Sequence, residues 1–142
     1  MYELLPGGVK FMKRRKSILI VDNEEFFGTI LKGILEQEGY VTSFCNNPSE
    51  AIHLSKKNKF DIIVTDYNMP EMNGADLARL MRYRFVNSFI IGLSCDTAES
   101  VFLEAGADAF FEKPLDYREL ISTIRQCKYI PFDKEVRNVV PA

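Results

Sequence analysis

Four places in the 142-residue sequence put a polar or charged group directly after a short apolar run. Asp22-Asn23-Glu24-Glu25 follows Ile-Leu-Ile-Val, Asp66 follows Ile-Ile-Val-Thr with Asn68 two places on, Ser94 follows Phe-Ile-Ile-Gly-Leu, and Lys113-Pro114 follows Ala-Phe-Phe-Glu. Brought together, these residues supply carboxylates, amides, a hydroxyl and an ammonium. That set suits a divalent cation and a phosphoryl group. Magnesium takes hard oxygen ligands in octahedral geometry and keeps several waters, so one or two carboxylates, a carbonyl and phosphate oxygens suffice. A carboxylate can also attack phosphorus and become an acyl phosphate. That attack needs the charge on the transferring group neutralised, which a metal, a lysine and a hydroxyl can do. Asp66, on the strand expected at the middle of the sheet, is best placed to be the nucleophile. Any one of these acids alone reads as a helix cap or a solvated surface charge; polar groups at four successive strand ends do not.

For those ends to converge, the strands must run parallel. Short β-branched runs alternate with amphipathic stretches from residue 17 to residue 128, with no internal repeat, as in a parallel sheet covered by helices on both faces. The pattern predicts strands at 17–21, 41–45, 62–65, 89–93 and 109–112, the first an apolar run suited to a central, doubly covered strand. It predicts helices over 26–38, 48–57, 75–84 and 117–128, with a short one ending at Ala105-Gly106. In the first helix Phe26, Phe27, Ile30, Leu31, Ile34 and Leu35 recur at helical spacing, and Gly39 supplies a left-handed turn to end it. Asn47-Pro48-Ser49-Glu50 reads as a helix start, with Asn47 as cap, Pro48 in the first turn and Glu50 reaching back. Right-handed crossovers leave few topologies for this α/β chain, the doubly wound order 2-1-3-4-5 among them, and in such a sheet function collects beyond the carboxyl ends of the strands.

Composition bounds the alternatives. With 46% hydrophobic and 27% charged residues and a net charge of −2, the chain reads as one soluble globular domain. No apolar run approaches the roughly 18 residues of a membrane helix. Cys45, Cys95 and Cys127 are odd in number and lack metal-type spacing, which fits a reducing compartment, the cytoplasm. Residues 1–16 are a basic extension carrying Lys10, Lys13, Arg14, Arg15 and Lys16 against Glu3, so the remainder is more acidic than the whole. An acidic domain argues against direct DNA binding. The cluster Lys13–Lys16 could touch anionic lipid or nucleic acid, but reads first as a flexible solubilising arm. Met12, directly before it, is a possible natural start. Residues 129–142, with two prolines and weak periodicity, form a tail that packs on the domain or starts a linker.

The stretches Ile18-Leu-Ile-Val-Asp22-Asn23-Glu24, Asp61-Ile-Ile-Val-Thr-Asp66-Tyr-Asn68-Met-Pro70-Glu-Met-Asn-Gly74, Ser94, Ala105-Gly106-Ala107-Asp108 and Lys113-Pro114 closely resemble the receiver domain of two-component response regulators over residues 17–128. The resemblance implies a flavodoxin-like, three-layer (βα)5 sandwich of order 2-1-3-4-5. It implies Asp66 as phosphoacceptor from a histidine kinase or phosphotransfer protein, and magnesium held by Asp22, Asn23, Asp66 and the backbone carbonyl of Asn68. It further implies Ser94 as the hydroxyl that swings toward the phosphate, Lys113 as its pairing ammonium, and a cis bond before Pro114. Phe110 falls at the switch aromatic; plain strand core is the equal alternative, since Phe110 and Phe111 must face opposite sides. Asn68 and Asp96 stand where the acyl phosphate's hydrolysis is tuned, which implies a short-lived phosphoryl state. The expected product is a signalling module, a monomer or weak dimer that acts on a downstream protein partner, and not a metabolic enzyme.

Three departures qualify this. Asn23 replaces an acid that in the family usually binds the metal directly, so weaker magnesium binding is expected, with compensation by Glu24 and a partly decayed metal site as the two alternatives. The stretch from Ser94 to Gly106 is short, so the fourth helix or its loop is trimmed and a conventional dimer through that face is not expected. Cys95, beside the switch hydroxyl, reads as a small buried hydrophobe rather than a redox sensor. His53, mid-helix and far in sequence from the site, reads as an exposed or half-buried helix position. The competing readings are a degenerate receiver acting unphosphorylated as a scaffold, a haloacid-dehalogenase-like phosphatase, disfavoured by Asn68 where that chemistry wants an acid, and a flavodoxin-like cofactor binder without a phosphate loop.

Overall fold

The computed structural model describes residues 2–4, 10–12 and 15–127. A five-stranded parallel sheet lies at its centre, in the order β4-β3-β5-β6-β7, from β3 (Ser17–Val21), β4 (Val41–Cys45), β5 (Ile62–Asp66), β6 (Phe89–Ser94) and β7 (Ala109–Glu112). Counted within that sheet, the order is 2-1-3-4-5. The helices between strands are α1 (Glu25–Gln37), α2 (Pro48–Lys57), α3 (Gly74–Arg84) and α4 (Glu99–Glu104), and α5 (Tyr117–Gln126) closes the chain's described part. The expected strands and helices are all present, with ends moved by one or two residues, as helix and strand ends do.

Two further strands were not expected. β1 (Tyr2–Leu4) and β2 (Lys10–Met12) pair antiparallel as a separate two-stranded sheet, with Tyr2 opposite Met12. The N-terminal extension is therefore not a featureless arm over those residues. The tail 129–142 and residues 1, 5–9, 13 and 14 of the extension, Lys13 and Arg14 among them, lie outside the described residues.

The sheet's two faces make two cores. Leu19, Val21, Ile63 and Ile90 point to one side, packed with Ala51, Leu77, Met81 and Phe102; Ile18, Ile20, Ile62, Val64 and Ile91 point to the other, with Leu31, Leu35, Leu120 and Ile124. Alternate residues along each strand fill opposite faces, so β3 is apolar from Ile18 to Val21 and β5 from Ile62 to Val64. Local chemistry sets the helix ends. Asn47 accepts from the Glu50 amide and Pro48 occupies the first turn of α2, Asn73 accepts from the Asp76 amide at α3, and Asp116 accepts from Arg118 and Glu119 amides at α5. Gly39, at φ +97°, takes the left-handed turn after α1 as expected. The trimmed stretch is accommodated by α4, only six residues long, whose Phe102 is fully buried against Gly92 of β6. An added Cβ at Gly92 would lie 2.4 Å from the Phe102 ring.

Candidate functional site

Asp22, Asp66, Ser94 and Lys113 meet because they end or directly follow β3, β5, β6 and β7 at one edge of the parallel sheet. Backbone bonds fix those ends to one another. The Asp22 amide donates to the Cys45 carbonyl (3.1 Å), the Tyr67 amide to the Leu93 carbonyl (2.8 Å), and the Lys113 amide to the Ser94 carbonyl (2.9 Å). The peptide between Lys113 and Pro114 is cis, as expected. Helix α3 closes in from below: the Gly74 amide donates to the Tyr67 carbonyl (2.8 Å), and a Cβ at Gly74 would fall 1.9 Å from the carbonyl oxygen of Asp66. Only glycine allows that approach.

Lys113 is the centre of the site. Its Nζ lies 2.7 Å from Asp22 Oδ2, 3.2 Å from Asp66 Oδ1 and 3.8 Å from Glu24 Oε1. The side chains of Lys113, Asp22 and Asp66 are 7%, 1% and 6% exposed, so the first two pairs are buried, whereas Glu24 is 65% exposed. Asp22 Oδ1 accepts the Glu24 amide at 2.8 Å, which orients the carboxylate toward the lysine. The ring of Phe27 completes the surroundings of the ammonium, with its centroid 4.2 Å from Nζ.

Burial, and next the charge of Asp22, push the Asp66 carboxyl up from 3.8 to about 6; Lys113 and the Tyr67 amide hold it from going higher. Burial alone would lower the Lys113 ammonium, but its hydrogen bond to Asp22 and the charges of Asp22 and Asp66 outweigh that and leave it raised. The cluster sets two carboxyl groups around one ammonium in a low-dielectric place. An unprotonated, poorly solvated carboxylate beside an ammonium is a nucleophile with a built-in counter-charge for an anionic electrophile.

Ser94 is fully buried, and its Oγ accepts the Asp96 amide at 3.0 Å, leaving the hydroxyl hydrogen to donate elsewhere. Asn68 and Asp96 are exposed and joined, Asn68 Nδ2 donating to Asp96 Oδ2 at 3.2 Å. Asn23 is exposed. Phe110 is half-buried against Phe102 (5.9 Å between centroids) while Phe111 packs on the opposite face, so the two do diverge. His53 is exposed. Cys95 corrects an expectation: it is exposed, not buried, because it follows the last residue of β6 and no longer belongs to the covered strand. The buried thiols are Cys45 and Cys127, and burial pushes them up to about 12 and about 11.

Sequence reasoning missed Phe27 and Gly74 as parts of the site. Phe27 looked like one more apolar residue at helical spacing, and Gly74 like the end of a polar turn; only the Phe27 position, five residues after Asp22, hinted that the first turn of α1 lies beside the acid.

The donors present fit a magnesium ion. Asp22 and Asp66 share one ammonium and so lie close enough to share a small cation, with amides at Asn23 and Asn68 nearby in sequence. Among the described residues no cluster of three or more His, Cys, Asp or Glu side chains forms a cage. Magnesium does not need one, since two carboxylates and water satisfy it.

Such a fold and pocket define a doubly wound α/β domain with two buried acids and one ammonium gathered at its central strand ends. Comparison with known proteins gives the family. The response regulator receiver domain matches residues 18–125. The chain is 36% identical over 110 residues to the response regulator SaeR of Staphylococcus aureus, covering 75% of this chain and 48% of that protein. It is 31% identical over 113 residues to the DNA-binding response regulator MtrA of Mycolicibacterium smegmatis, covering 78% and 50%. The chain thus spans about half the length of these curated relatives. Among solved structures, the CheY-like receiver domain protein of Methanospirillum hungatei superposes with a TM-score of 0.80 at 28% identity, over 85% of this chain and 99% of that one. TrrA of Thermotoga maritima, solved in complex with Mg(2+)-BeF, superposes with a TM-score of 0.73 at 27% identity, over 79% and 98%. The chain belongs to the response regulator receiver domain family of two-component signalling.

Proposed function

We propose that Asp66 accepts a phosphoryl group from a histidine kinase or a phosphotransfer protein, and that the resulting charge switches the surface around Phe110 for a protein partner. The observation that carries this is the buried ammonium of Lys113 between Asp22 and Asp66. An Asp66 oxygen attacks phosphorus, the P–N bond to the donor imidazole breaks, and the electron pair leaves with the imidazole. The product is an acyl phosphate whose new charge sits outward of the original carboxylate. Asp22, Asp66, Asn23 and the Asn68 carbonyl would hold magnesium, which supplies charge neutralisation to the phosphoryl oxygens. Lys113 pairs with the phosphoryl group, and Ser94, with its hydroxyl hydrogen uncommitted, donates to it.

Ser94 and Lys113 are coupled through the backbone bond between them, and β7 carries Phe110 three residues before Lys113. Drawing both groups toward the phosphate therefore pulls on the strand that presents Phe110 to Phe102 of α4. Asn68 and Asp96, joined across the mouth, flank the path of a hydrolytic water, which gives a short-lived phosphoryl state. We place the domain in the cytoplasm, as a monomer or weak dimer without direct DNA contact through this domain. Among the described residues no helix is long and apolar enough to cross a membrane.

Beryllofluoride with magnesium tests the reading. Amide spectra of the protein are expected to change on addition and to stay unchanged in Asp66→Asn. No change in the natural protein, or the same change in the variant, would overturn it.

A further inference from the structure

Phe27 has no part in the chemistry above, yet the face of its ring lies over Lys113 Nζ, with the centroid 4.2 Å away. We propose that Phe27 is the positioning residue for Lys113: the face of its ring holds the ammonium at the pocket while the ammonium changes from one anionic partner to another. The inference rests on the reading of Asp66 as acceptor.

Lysine carries a point charge on a flexible four-carbon stem, and here the side chain is only 7% exposed, so little water is left to hold the ammonium in place. Its bond to Asp22 is anchored, because the Glu24 amide fixes the other oxygen of that carboxylate. Its bond to Asp66 cannot persist unchanged. Once Asp66 is an acyl phosphate, one carboxylate oxygen is esterified and the negative charge has moved outward onto the phosphoryl oxygens. The ammonium has to follow that charge. Glu24, at 3.8 Å and largely exposed, is a weak guide.

An aromatic face suits the task. Hydrogen bonds weaken steeply with angle, whereas a cation is attracted anywhere over a ring face within about 6 Å of its centre, most strongly when desolvated. The ammonium can therefore slide toward the phosphoryl group without losing the contact. The ring also attracts without adding a charge.

The ring itself is held. Phe27 packs on the core that includes Leu31 and Ile124. Beside it, the missing Cβ of Gly28 would lie 2.0 Å from the Phe44 ring, so α1 is pressed against β4 at this level.

The test uses the full chain with Phe27→Leu, which keeps apolar bulk without a π face, and Phe27→Trp, which keeps the face. Melting curves establish the temperature at which each variant is folded. Two readouts follow there: the ring-current displacement of the Lys113 ε-methylene protons, and the affinity for beryllofluoride at fixed magnesium. The expected result is an upfield ε-methylene signal in the natural protein, lost in Phe27→Leu and kept in Phe27→Trp. Affinity should fall about fivefold or more in Phe27→Leu and stay within about twofold in Phe27→Trp, the size of the cost of ordering on binding one lysine side chain that the ring no longer holds. Equal affinity in Phe27→Leu despite the lost signal would overturn the positioning role alone, and an unshifted signal in the natural protein would refute the contact. Failure of the natural protein to bind beryllofluoride, with the signal in place, would defeat the acceptor reading and the proposal with it.

Discussion

Replacing Asp66 by Asn is expected to stabilise the metal-free protein at neutral pH. Burial and the charge of Asp22 raise the folded-state carboxyl from 3.8 to about 6, even with Lys113 opposing. Its charged form is therefore disfavoured by the fold. At about 1.4 kcal/mol per factor of ten, ionised Asp66 costs the fold about 3 kcal/mol wherever both folded and unfolded chains have lost the proton. Between pH 3.8 and about 6 the folded chain binds more protons than the unfolded one, so this group's contribution to stability falls as pH rises, and its penalty is complete above that window. Asn keeps the shape and a hydrogen-bond acceptor without the charge. The variant should gain about 2–3 kcal/mol at neutral pH, or roughly 5–15 °C in melting temperature, and the gain should shrink toward nothing as pH falls to about 4. Urea unfolding of both proteins in chelator, across that range, measures it. A variant no more stable than the natural protein at neutral pH, or a gain indifferent to pH, would refute the account of the pocket's electrostatics.

Other perturbations have defined directions. Lys113→Met leaves Asp22 and Asp66 buried without their cation, and should cost about 3–5 kcal/mol in urea unfolding at neutral pH, part of it recovered in the double variant with Asp66→Asn. Gly74→Ala forces a methyl against the Asp66 carbonyl and should destabilise the protein by about 1–3 kcal/mol while reducing beryllofluoride binding. Asn23→Asp adds a charge at the mouth of the pocket and should tighten magnesium binding about fivefold or more, read by calorimetric titration; equal affinities would remove the argument that Asn23 weakens the site.

What the sequence made legible was the part governed by short-range rules. The apolar runs ending in Asp22, Asp66, Ser94 and Lys113 mark strands by composition alone, β4 and β7 keep the expected ends, and Asn47 and Gly39 announce their helix ends through chemistry local to a few residues. Parallel order then follows from alternation and handedness, and it carries the acids to one edge without any long-range information. The parts that stayed hidden depend on contacts between distant segments. Lys113 and Asp22 are separated by 91 positions, and nothing near either says that Phe27 will lie over the ammonium. Gly74 and Gly92 matter because another segment presses on each, which a single sequence does not show. Cys95 was misplaced by treating the neighbour of Ser94 as covered too, although it already lies past the expected end of the strand. The N-terminal strands are three residues each, too short to carry a periodicity that a single sequence could mark.

The central claim is that Asp66 takes up a phosphoryl group, and mass spectrometry tests it most directly. After incubation with acetyl phosphate and magnesium, the account predicts one added phosphoryl group, mapped to the peptide that contains Asp66 and absent from Asp66→Asn. An unmodified protein, or a phosphoryl group carried by another residue and retained in the variant, would contradict it.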